Sequence, residues 1–111
     1  MSRPDDDRVA DILEAAGEIG AVIDRGKPAW DTDRICRLAV ERLLEIIGES
    51  ARSMSVEARG RYADVAWSDI VGLRSVLAHH YHRVDPDQVW VIESVEVPRL
   101  AERLETGGAS A

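Results

Sequence analysis

The chain has a single cysteine among its 111 residues, so no internal disulfide can staple it. Cys36 falls in a helical-looking segment and is most simply a small buried apolar residue. Uninterrupted apolar runs are only a few residues long, too short for a membrane span. The opening Met1-Ser-Arg-Pro-Asp-Asp-Asp has no apolar core of the kind a signal peptide needs. The expectation is a cytoplasmic protein. Positive charge is also scarce: 14 Lys and Arg against 21 Asp and Glu give a net charge of −7. That argues against broad, sequence-blind binding along nucleic acid, which relies on many cationic contacts to phosphate. It leaves room for a small local cationic site. Alternation of period two is nearly absent, so a sheet is not expected. There are no repeats, and no linker is long enough to divide domains.

What is present is helical patterning within one domain, residues 1–105, followed by a flexible tail at 106–111. Pro4 with Asp5, Asp6 and Asp7 reads as a helix start, since proline suits the first turn and carboxylates suit the positive end of the dipole. Val9, Ile12, Leu13, Ala16, Ile19 and Ile23 recur at helical spacing, and Gly26 and Pro28 end that helix. Asp31 or Thr32 can cap a second helix, whose apolar positions are Ile35, Leu38, Ala39, Leu43, Ile46, Ile47, Ala51 and Met54. Residues 55–66 read as a short helix or a structured connection. A third helix starts near Trp67 or Ser68 and runs to about Arg83. Asp85, Pro86 and Gln88 form a start signal for a fourth, with Val89, Trp90, Ile92 and Val95 as its apolar face. Pro98 kinks or breaks it, leaving Leu100 and Leu104 for a short last helix. The fold class is all-α, an antiparallel bundle of four to five helices.

Charge is distributed unevenly. Residues 70–84 contain no Asp or Glu but hold Arg74, His79, His80, His82 and Arg83, and every histidine of the chain lies there. At about 100° per residue, Ile70, Leu73, Leu77, Tyr81 and Val84 share one stripe. Arg74 lies at its edge, and His79 points away from it with Ser75 and His82. A solvated polar face accounts for the three histidines as readily as a function does. Arg74 is harder to set aside, because an always-charged guanidinium beside an apolar stripe needs an anion. That anion is either a carboxylate from another helix or a phosphate. Arg and His together can cleave RNA without metal: the imidazole moves the proton of the ribose 2′-hydroxyl or of the leaving oxygen, and the guanidinium stabilises charge on the phosphoryl oxygens. The two residues are about 140° apart on one helix, so a single straight helix presents them poorly to one phosphate. Two copies of the helix facing across a two-fold axis would enclose a cleft. A metal site of His79, His82 and Asp85 has acceptable spacing but no completing ligand set, and none is expected. Trp67 and Trp90 read as core in preference to base-stacking platforms.

Arg74-x4-His79-x-Tyr81 resembles the Arg-x4-His-x-Tyr motif of HepT toxins, a branch of the HEPN superfamily. The approach Trp67-Ser-Asp-Ile-Val-Gly-Leu-Arg74 and the exit through Asp85 to Val89-Trp90 are similar too, and helix order agrees over roughly residues 5–105. The resemblance implies a homodimer and a metal-independent endoribonuclease with Arg74 and His79 as the catalytic pair. Ser75, His80, His82 and Arg83 would line or support the RNA site, and no cofactor is required. It further implies that Tyr81 is the tyrosine to which the partner antitoxin, a minimal nucleotidyltransferase called MntA, transfers AMP. The added bulk and negative charge would sit where RNA phosphate must bind. Ser75 replaces the usual amide or acid after the arginine, and His80 replaces a common glycine. These departures keep a second reading open: a non-catalytic helical subunit or regulator of a nucleotidyltransferase.

Overall fold

A computed structural model describes residues 3–79 and 85–109, by backbone alone at 3, 74–79, 108 and 109. Helix α1 covers Arg3–Asp24 and α3 covers Arg34–Ser53, joined through the six-residue α2, Lys27–Thr32. Gly26, at φ 88°, makes the reversal between α1 and α2, a conformation glycine reaches without the Cβ penalty. Pro28 therefore starts α2 as well as ending what precedes it. The cap of α3 is Asp33, not Asp31 or Thr32: its carboxylate accepts the amide of Ile35 at 2.9 Å. The short α4, Val56–Gly60, is capped by Ser55 and leads to α5, Trp67–His79. The last arm comprises α6, Pro86–Val91, a π-turn, Ile92–Glu96, and α7, Val97–Ala109.

No strand occurs among the described residues, and the all-α bundle expected from the sequence is what forms. Helix α1 packs most extensively on α3, α3 packs next on α5, and α7 lies against α1. Helices α1 and α3 run antiparallel, because Asp5 at the start of α1 meets Ser55 just past the end of α3. The core between them holds Ile12, Ile19, Val40, Leu44 and Ile47, all fully buried. Each such side chain contributes about 1.5–3 kcal/mol relative to exposure.

Four apolar positions depart from the stripes expected of the sequence, since Ile35, Leu38, Ala39 and Val95 are all exposed. Ile35 is 77% exposed and Val95 is 42% exposed. Ile35 sits in the first turn of α3 on the side away from the buried positions Cys36, Val40 and Leu44. Val95 lies on the outer side of the π-turn and Glu93 on its inner side. Pro98 does not break the arm; the helix continues across it into α7.

Candidate functional site

Helix α5 is anchored at its start. The indole N–H of Trp67 donates to the carbonyls of Arg59 at 3.0 Å and Tyr62 at 3.2 Å, and its ring meets that of Tyr62 edge-on at 6.3 Å. Ile70, Val71 and Leu73 then pack partly against the core. The backbone places Arg74 and Ser75 in the middle of α5 and His79 at its last residue. Five residues of helix separate Arg74 from His79, about 7.5 Å of rise and about 140° of rotation. The two positions therefore fall on different faces of one copy of α5. His80, Tyr81, His82 and Arg83 lie outside the described residues. So does the test of a His79, His82 and Asp85 metal site; among the described residues no cluster of three metal-ligating side chains occurs.

Beyond that connection the chain is gripped again. Asp85 caps α6 by accepting the amide of Asp87 at 2.9 Å. The indole N–H of Trp30, on α2, donates to the carbonyl of Pro86 at 2.9 Å, and its ring lies 5.9 Å from that of Trp90. Lys27 joins both elements, with its ammonium 2.6 Å from Asp31 and 2.9 Å from Asp87. Hydrogen bonds to these carboxylates, Asp31 first, raise the lysine above its ordinary value. Trp67 and Trp90 both pack on the core, as their pattern suggested. The role of Trp30 and Lys27 was not evident beforehand. The available signal was Pro28 after Gly26, which marks a helix start.

A groove of about 260 Å³ runs between α5 and the last arm. Its floor includes Ile47, Ile70, Leu73 and Leu100, and its rim carries Asp69, Glu96, Arg99 and Arg103. Arg103 also donates to the carbonyl of Asp64 at 3.1 Å. One further group stands out below the surface. Glu93 is fully buried, neither carboxylate oxygen has a hydrogen-bond partner, and burial pushes it up to about 7. Nothing in the helical pattern marked it, because an isolated Glu between Ile92 and Ser94 reads as surface.

No helix among the described residues is long and apolar enough to cross a membrane. Residues 12–106 match the family model described as Ribonuclease HepT-like. A Methanocaldococcus jannaschii protein provisionally named as an RNase is 35% identical over 96 residues, covering 86% of this chain and 88% of the relative. A Caldanaerobacter subterraneus protein, also provisionally named as an RNase, is 33% identical over 72 residues, covering 65% of this chain and 64% of the relative. A Thermococcus cleftensis protein named Probable ribonuclease HepT is 28% identical over 109 residues, covering 95% and 96%. No solved structure matches the chain.

Proposed function

Because the chain belongs to the HepT-like ribonuclease family, we propose that it is the endoribonuclease toxin of a toxin–antitoxin pair, cutting RNA with Arg74 and His79. The observation that carries this reading is the Arg-x4-His pair on the second half of α5, inside a family match covering residues 12–106. In the reaction a neutral His79 takes the proton from a ribose 2′-hydroxyl. The 2′-oxygen attacks the adjacent phosphorus, the bond to the 5′-oxygen breaks, and a protonated imidazole returns a proton to that oxygen. Arg74 stabilises the charge that gathers on the non-bridging oxygens.

An in-line attack puts the 2′-hydroxyl and the leaving oxygen on opposite sides of the phosphorus, which two imidazoles serve better than one, and one copy of α5 supplies one catalytic histidine. A homodimer with the two α5 helices across a two-fold axis provides both, together with two guanidinium groups. The composition of α5 favours this. Ile70, Val71, Leu73, Val76, Leu77 and Ala78 are spread around the helix, not gathered on one face, as suits a helix covered on more than one side. Ser75, His80, His82 and Arg83 are the proposed supporting contacts to RNA. Tyr81 is the proposed acceptor of AMP from a nucleotidyltransferase antitoxin, which blocks the cleft by charge and bulk. The proposed location is the cytoplasm.

The test is cleavage of RNA by the purified protein in EDTA, compared with Arg74→Ala and His79→Ala. The expected loss is about 10²–10⁴-fold for His79→Ala, the range of a positioned acid or base. Equal cleavage by wild type and both variants sinks the catalytic assignment.

A further inference from the structure

We propose that Glu93 makes the arm formed by α6, the π-turn and α7 a pH-sensitive element, packed while the carboxyl is neutral and loosened when it is charged. The proposal does not depend on the ribonuclease reading.

Three polar side chains are buried among the described residues: Asp5, Ser50 and Glu93. Asp5 is bonded to Ser55, whereas both oxygens of Glu93 are without a partner. A buried carboxylate with no counter-charge is strongly disfavoured, and the group responds by holding its proton. Glu93 also sits in a π-turn, where the amide of Val97 reaches back five residues to the carbonyl of Ile92. Such widened turns are rare and collect at functional positions. The arm is tied at one end by Trp30 to Pro86, and at the other by Val97, Leu100 and Leu104 in the core. Glu93 lies midway between these ties.

Among the described residues no neighbour compensates the charge. On α3, the group that feels Glu93 is the Cys36 thiol, itself raised first by burial and then by Asp33. Behind it Arg25 contacts both Cys36 and Asp33, so that cation is already engaged. Helix α1 turns Ile12, Ala16 and Ile19 inward and keeps Arg8, Glu14 and Glu18 outside, with Asp11 at the rim. On the arm, Asp85, Asp87, Arg99, Glu102 and Arg103 are exposed, and Glu96 lines the outer groove. Burial is the whole cause of the shift at Glu93.

The sign follows. Folded, the group titrates near about 7; opened to water it titrates near 4.5. Opening therefore becomes easier as pH rises from about 4.5 to about 7 and levels off above, with a ceiling of about 300-fold. The arm begins at Pro86, directly after the connection that carries His80, Tyr81, His82 and Arg83. Above neutrality the downstream anchor of that connection is the part released.

The experiment is amide hydrogen exchange on the whole chain, each rate divided by its intrinsic value at that pH. Between about pH 5 and about pH 8, the protection of amides 89–97 in the wild type should fall by about 70-fold. In Glu93→Gln it should stay level. Glu93→Met is the second variant, since an apolar side chain suits the site even if the amide does not. An unchanged pH response in either folded variant overturns the proposal. So does an equal loss of protection in α1 and α3, which would mean global unfolding and not a loosened arm.

Discussion

Replacing Trp30 by phenylalanine tests whether α2 is a clamp or merely a connection. Trp30 is 1% exposed, and its indole N–H is the donor to the Pro86 carbonyl at 2.9 Å. Phenylalanine keeps a ring for Trp90 to pack on but removes the donor. A partly buried carbonyl left unpaired costs about 1–3 kcal/mol. The missing part of the indole leaves a small void in a site with little freedom to collapse, about 1 kcal/mol more. The sum is about 3 kcal/mol, a large share of the about 5–15 kcal/mol that holds a domain of this size. Urea unfolding followed by far-ultraviolet circular dichroism measures it, with a melting temperature lower by about 12 °C as the cross-check. Lys27→Ala, which removes the ion pairs to Asp31 and Asp87 on the same two elements, should cost much less, because exposed pairs are screened. Combining the two should show coupling, since both hold α2 to the start of α6. The reasoning fails if Trp30→Phe unfolds within about 0.5 kcal/mol of wild type, the scatter of an ordinary surface change.

Asp5 joins the start of α1 to the end of α3 by accepting the Ser55 amide at 2.9 Å and the Ser55 hydroxyl at 2.8 Å. Asp5→Ala should cost about 3 kcal/mol in urea unfolding, and Ser55→Ala, which removes both the cap to Ala58 and the hydroxyl bond to Asp5 but keeps the amide bond, about 2 kcal/mol. The glycines give a pair of opposite sign. Gly17 has open space around an added Cβ, so Gly17→Ala should stabilise by about 1 kcal/mol. At Gly107 a Cβ would meet the Tyr62 ring at 2.9 Å, so the same helical gain is outweighed by overpacking of about 1–3 kcal/mol and the melting temperature should fall.

The parts of the fold legible in the sequence were those where one face of a helix meets one neighbour. The stripe of α1 reads directly as Val9, Ile12, Ala16 and Ile19, all buried. The bundle class followed from it and from the capping signals at Asp85 and Pro86. Position within the bundle is not carried by periodicity. Ile35 is counted into the wide apolar stripe of α3 and yet faces water, because the buried face centres on Cys36, Val40, Leu44 and Ile47, well round the helix from it. Helix α2 was hidden by Pro28, whose stop meaning and start meaning are the same residue seen from two sides. For the candidate site, sequence and backbone agree that Arg74 and His79 ride on one helix, and a helix alone separates them. The second copy of α5 that the proposed mechanism calls on is not something a single chain's periodicity encodes.

The last arm is where the pattern misled most, and its geometry explains why. From Val89, an unbroken α-helix would bring residues 92 or 93, then 96, then 100 to the core face. The buried positions are instead Val89, Glu93, Val97, Leu100 and Leu104. The π-turn inserts one residue's worth of rotation, which takes Glu96 out to the groove and brings Val97 in. Pro98 makes this tolerable, since it has no amide to offer a regular ladder. The Ser94 hydroxyl donates to the Trp90 carbonyl at 2.6 Å within the same stretch. Without the extra residue two carboxylates, Glu93 and Glu96, would compete for the interior; with it there is one. The π-turn thus halves an electrostatic problem without removing it, and the remaining carboxyl stays in the core at the cost of holding a proton.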